Sequence, residues 1–200
     1  MESHTKLAKF IHWSFVILYV YGIFKQVNNL DDLDDKGLLI SEIIFASAFI
    51  VIVILRYSYM RRFKTFLGAQ VPVHIVHYYF ARSIHKAMYA CFILLPLTGL
   101  MIAGLYSQGY TVNATPDEEQ TVMDVVLDLH GLVAETSYLL ILIHIAAAIY
   151  SRIKGEGVWS SMVPILKEDK PTTNKFIIKI SNVEENIYDK VGTFFSSRKK

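Results

Sequence analysis

One stretch restricts this chain more than any other: Leu129 to Tyr150, LHGLVAETSYLLILIHIAAAIY, a long apolar segment interrupted by His130 and His144. The two histidines lie fourteen positions apart. At about 100° per residue their offset falls about 40° short of four turns, so both imidazoles leave one face of a helix, about 21 Å apart along its axis. The segment is long and apolar enough to span a bilayer. Ionisable rings sharing one face of such a span belong against protein rather than lipid and mark a functional face.

The rest of the chain agrees with a membrane setting. Hydrophobic residues make up 53% and charged residues only 19%, too apolar a balance for an ordinary soluble domain. The net charge is +2, and no compact basic patch with interleaved aromatics points to nucleic acid. The lone Cys91 lies in an apolar run and has no intrachain disulfide partner.

In chain order, a first span is predicted over about Leu7 to Phe24. It carries His12 beside Trp13, the latter suited to anchor at the interface. No small-residue cleavage site follows, so the span reads as retained rather than as a signal peptide. The connector Lys25 to Gly37 is an acidic loop whose DDLDDKG resembles a calcium loop only loosely. A second span over about Leu38 to Leu55 carries Glu42 near its start; that carboxylate either snorkels to the surface or faces protein. Arg56, Arg61, Arg62, Lys64 and Arg82 then fall in a connector without acidic residues, with Pro72 and the loop histidines His74 and His77.

The third span, from near Phe80 to about Leu105, has His85 and Lys86 in its first turns and Pro96 and Gly99 within it; Pro96 is expected to kink it. The following loop, Tyr106 to Asp128, bears Asp117, Glu118, Glu119, Asp124 and Asp128 and no lysine or arginine. Span four ends at Arg152 and Lys154. By the positive-inside rule the basic loops and both termini face the cytoplasm. The expected fold is therefore all-α, an integral membrane four-helix bundle over residues 1–165 with a cytoplasmic tail over 166–200. This topology puts His12, His85 and His144 towards the inner side and His130 towards the outer, at the depth of Glu42. Low-spin haem needs two strong axial donors on facing helices, and His12 with His144 supply such a pair on the inner side.

Three stretches carry a family resemblance: IHW at Ile11 to Trp13, HKAMYACFILLPLTGL from His85 to Leu100, and LHGLVAETSYLLILIHIAAA from Leu129 to Ala148. Over about residues 6 to 165 the chain resembles the four-helix bacterial b-type cytochromes, the cytochrome b(561) group and the cytochrome b subunits of membrane hydrogenases and formate dehydrogenases. The resemblance implies an inner haem b on His12 and His144 and an outer haem on His130 and a histidine near the start of span two. Span two contains no histidine, and Glu42 stands at that place. Three outcomes stay open for the outer site: a glutamate ligand to iron, a haem held by His130 alone, or no haem with Glu42 paired to His130. The expectation is a mono-haem derivative of a di-haem fold.

The same resemblance implies electron transfer between a donor or partner protein and a membrane quinone, ubiquinone or menaquinone, in the bacterial inner membrane. His85, Arg82 and Lys86 are the candidates for the inner quinone pocket or for partners of the haem propionates. Some cytochromes of this type oxidise superoxide outside. The outer Asp31, Asp32, Asp34, Asp35, Asp117, Glu118, Glu119, Asp124 and Asp128, against only Lys25 and Lys36, disfavour an anionic donor. A membrane anchor for a peripheral dehydrogenase is the alternative of a different class. A small transporter has no inverted repeat to support it.

In the tail, Phe176, Ile180, Val183, Ile187, Val191 and Phe194 recur at helical steps, with lysines and Arg198 as flanks, and Asn182 with Glu185 read as a capping box. This amphipathic helix is expected on the inner leaflet or, less so, on a protein partner. Trp159 and Pro164 predict a short interfacial segment before it.

Overall fold

The computed structural model describes residues 6–27, 29–62, 74–112, 121–163, 165–166 and 171–197, with residues 195–197 described by backbone alone. Lys64, Pro72, Asp117, Glu118, Glu119, Pro164 and Arg198 lie outside the described residues. Among the described residues all regular structure is helical: α1 (Lys6–Lys25), a 3-10 turn (Leu30–Asp34), α2 (Lys36–Met60), α3 (Ile75–Ser107), α4 (Val122–Lys154), α5 (Val158–Met162) and α6 (Lys175–Ser197). Helices α1 to α4 are long and apolar enough to cross a membrane.

The helices outrun the apolar runs that announced them. At 33 residues each, α3 and α4 reach about 50 Å, against a hydrocarbon core of about 30 Å. Hydropathy marks where a helix meets lipid, whereas its hydrogen bonding continues into water until something stops it. At the start of α4 that something is a capping box: Thr121 Oγ1 accepts from the Asp124 N–H at 3.2 Å, and the Thr121 N–H donates to Asp124 Oδ2 at 2.8 Å. Asp124, expected as a loop charge, is thus a helix cap. Helix α2 likewise continues to Met60 rather than ending near Leu55, which moves Arg56 from the connector into the helix.

The chain forms two compact units. The first comprises Ile11–Tyr59 and Ala87–Leu140. Its centre is aromatic: Phe15 lies 4.8 Å from Phe92 and 5.3 Å from Phe49, ring centre to ring centre, and Tyr19 lies 5.2 Å from Phe92. Phe15 and Tyr19 follow His12 at steps of three and four, so one stripe of α1 carries all three. The Tyr19 hydroxyl donates to Ser137 Oγ at 2.7 Å, since the Ser137 proton is committed to the Ala134 carbonyl. Met123, Val126, Val133 and Ser137 are buried along α4, and His130 falls on the same three-four stripe. Near the other end Leu33, Ile102, Met123 and Val126 form a second cluster. A Cβ at Gly22 would stand 3.1 Å from the Phe45 ring, so glycine there permits the close approach of α1 and α2.

The second unit comprises Met1–Phe10, Met60–Lys86 and Ile141–Lys200. Here α6 docks through a polar face. Glu184 accepts from Lys154 at 3.0 Å and from the Tyr150 hydroxyl at 2.9 Å, and it lies 3.4 Å from His77. Tyr188 stacks on His74 at 5.5 Å and meets His77 at 3.2 Å. His74, at the end of the connector just before α3, and His77, inside α3, therefore both pack against α6. The helix begins earlier than the Asn182–Glu185 capping box predicted, because the helical period already holds from Phe176. Its cap is Asn174, whose side chain accepts from the Phe176 N–H at 2.9 Å. Trp159 lies in α5, donates to the Ile165 carbonyl at 3.0 Å and sits beneath the Arg152 guanidinium.

Candidate functional site

Iron takes a neutral imidazole through the nitrogen that bears the lone pair, while the other nitrogen donates a hydrogen bond. The partner of each ring therefore tells which tautomer the protein favours.

His130 faces Thr98, with Nδ1 to Oγ1 at 2.8 Å. The Thr98 proton is committed to the Leu94 and Leu95 carbonyls, each at 2.9 Å, and carbonyls cannot donate. The His130 Nδ1–H is thus the donor, and Nε2 carries the lone pair. The ring lies over Gly99, where a Cβ would stand 3.5 Å from His130 Cε1. This is the tautomer that a metal-binding histidine needs, and in that respect the residue fits haem.

His12 faces the opposite chemistry. Arg56 Nη2 lies 2.8 Å from His12 Nδ1. A guanidinium has donors and no acceptor, so Nδ1 carries the lone pair and the proton of the neutral ring sits on Nε2. His12 fits haem through Nε2 only after Arg56 gives up Nδ1. Arg56 itself is 8% exposed, with its guanidinium carbon 4.7 Å from the Phe15 ring and 5.4 Å from the Tyr89 ring.

In the second unit, His85 donates from Nδ1 to the Ala81 carbonyl at 2.7 Å, one turn back on α3, which leaves its lone pair on Nε2. Its ring meets the His144 ring edge-on at 5.0 Å. Arg82 and Lys86 are exposed; Arg82 makes a 3.4 Å hydrogen bond to the Tyr78 hydroxyl. The structure thus groups His85 with His144 and leaves the two cations at the surface.

Glu42 pairs with Lys25, Nζ to Oε1 at 2.6 Å, and the ammonium also lies 4.9 Å from the centre of the Phe45 ring. The expected alternative of a Glu42–His130 pair is not what forms. Lys25, counted as a loop charge, ends α1 and meets Glu42 in the second turn of α2, while Thr98 already satisfies His130.

Arg56, Tyr89 and Thr98 escaped the sequence reading. For Arg56 a signal existed: Phe45, Phe49, Val53 and Arg56 recur at steps of four, four and three, with no proline or glycine before Met60. Thr98 gave none, because a threonine two residues after a proline in a span is unremarkable without its neighbour.

The family model for prokaryotic cytochrome b561 matches residues 3–164. No curated protein and no solved structure matches the chain.

Proposed function

The chain belongs to the prokaryotic cytochrome b561 family, and from that premise we propose that it passes electrons between membrane quinone and a redox partner through a single haem b. Membership makes it a multi-pass membrane b-type cytochrome of electron transport, and it implies haem b. The observation that carries the proposal is that four membrane-length helices lie within the matched stretch, with His12, His85, His130 and His144 on three of them.

The proposed inner ligands are His12 and His144, and His130 is the remnant of an outer site. Both termini are proposed to face the cytoplasm of the bacterial inner membrane, following the lysines and arginines at the ends of α2 and α4. When bound, haem b exchanges single electrons, and the protein sets its position and potential. His130 and His85 each hold a lone pair on Nε2 by donating from Nδ1. In His85 that lone pair suits acceptance of a quinol proton, so His85 is the proposed quinol-side base. Glu42, held by Lys25, is unlike a ligand that must turn to iron, which favours one haem over two.

A visible spectrum tests this reading against the anchor-subunit alternative. Sharp reduced bands that develop on adding quinol support it; bands indifferent to quinol favour an anchor with structural haem.

We also propose that α6 rests on the inner leaflet. Its docked residues Glu184, Tyr188 and Gly192 define one face, yet Phe176, Ile180, Val183, Ile187 and Phe194 are exposed on the next. At about 100° per residue Lys179 and Lys190 flank that apolar stripe, whereas Glu185 and Asp189 fall on the far side. This is the arrangement of an interfacial helix on anionic lipid. A spin label at Ile187 should contact lipid in proteoliposomes and one at Asn186 should remain in water; equal water access at both contradicts the placement.

The docking is pH-dependent. Burial pushes the Glu184 carboxyl up, but hydrogen bonds from Lys154 and Tyr150 and the Lys154 charge pull harder, and the net direction is down. A lowered carboxylate contributes stability above its ordinary value of about 4.3 and loses it as pH falls through the lowered one. Glu184→Gln should weaken docking by about 1–2 kcal/mol at neutral pH, read as faster amide exchange in α6, with less difference in acid.

A further inference from the structure

We propose that Arg56 is a carboxylate-binding residue that exchanges His12 for a haem propionate when the cofactor is seated; the inference rests on reading His12 as an iron ligand. The first ground is an unbalanced charge. Arg56 is buried in an apolar helix, and among the described residues no carboxylate pairs with it. A buried cation without a counter-charge is costly, so an anion that reaches it is bound favourably.

The second ground is the geometry of its fork. Phe15 and Tyr89 lie against the guanidinium, and its hydrogen bonds run from the edges of its plane. Nε and Nη2 form one edge, the pair of donors that takes both oxygens of a carboxylate. Nη2 is on His12, while Nε is buried with no hydrogen-bond partner among the described residues. Half of a bidentate carboxylate site is thus unused and the other half is spent on an imidazole.

The third ground is the tautomer this contact enforces. With Arg56 on Nδ1, the His12 proton occupies Nε2. Drawing Arg56 onto a carboxylate releases Nδ1, the ring proton transfers from Nε2 to Nδ1 through water with no net change in protonation, and Nε2 then offers its lone pair. One exchange of partners neutralises the buried cation and makes His12 competent. Arg82 and Lys86, exposed at the surface, lack this coupling to a ligand ring.

The test uses the full chain freed of haem, titrated with haem b and with haem b dimethyl ester, which has the same iron and ring but no carboxylates. Wild type should bind haem b about tenfold tighter than the ester, the worth of one charge-assisted hydrogen bond. Arg56→Met should abolish the preference and Arg56→Lys, which keeps charge but loses the fork, should retain only part of it. Either substitution leaving the preference intact overturns the proposal, and so does a wild type with none. If Arg56→Met does not fold, Arg56→Lys decides. His12→Ala separates the two readings: a low-spin spectrum that survives it removes His12 as ligand, whatever the ester titration shows.

Discussion

His12 and His130 belong to the same unit and sit on apolar helices, yet their neighbours give them opposite proton arrangements. Thr98, its own proton spent on backbone carbonyls, takes the Nδ1–H of His130 and leaves Nε2 ready for a metal. Arg56, which can only donate, occupies Nδ1 of His12 and puts the proton on the nitrogen that iron would need. The ring that is ready has no second histidine on α2, and the ring assigned a partner is held by a cation. Ligand competence therefore resides in the residue behind the imidazole as much as in the imidazole.

The comparison can be broken by deletion. His12→Ala should remove the low-spin spectrum altogether, whereas His130→Ala should leave the haem content of the purified protein unchanged; the reverse pattern would exchange the roles of the two sites. Reversing the vacancy is the next largest effect. Glu42→His should supply the missing donor opposite His130 and add a second haem, at the cost of the Lys25 pair.

The smallest effect isolates the Thr98 hydroxyl. In the Glu42→His background, Thr98→Val should weaken haem at the His130 site by about tenfold to a hundredfold, as loss of a metal ligand's orienting partner does. In the wild-type background it should leave haem content alone and cost about 1 kcal/mol of stability, read by thermal unfolding. An equal loss of haem in both backgrounds would mean that Thr98 supports the fold rather than the ring.

Much of the architecture was legible in the sequence, because lipid imposes one rule on every span: four apolar runs became four helices, and the spacing of His130 and His144 fell on the buried stripe of Met123, Val126, Val133 and Ser137. The helix ends were not legible, since hydropathy stops at the interface and Thr121 with Asp124, or Asn174, decides where hydrogen bonding begins. The same blindness hid Arg56: a cation after an apolar run reads as a loop charge until the helix is seen to continue past it. Glu42 was located but its partner was not, because Lys25 comes from another helix end and spacing along one helix says nothing about contacts across two. His74 and His77 looked inert for a like reason, their partners lying more than a hundred residues away on α6.

The most direct test of one loaded and one altered site is haem stoichiometry by pyridine haemochrome, measured on the purified wild type and on Glu42→His. One haem per chain rising to two in the variant is the predicted result. Two haems per chain in the wild type would contradict it.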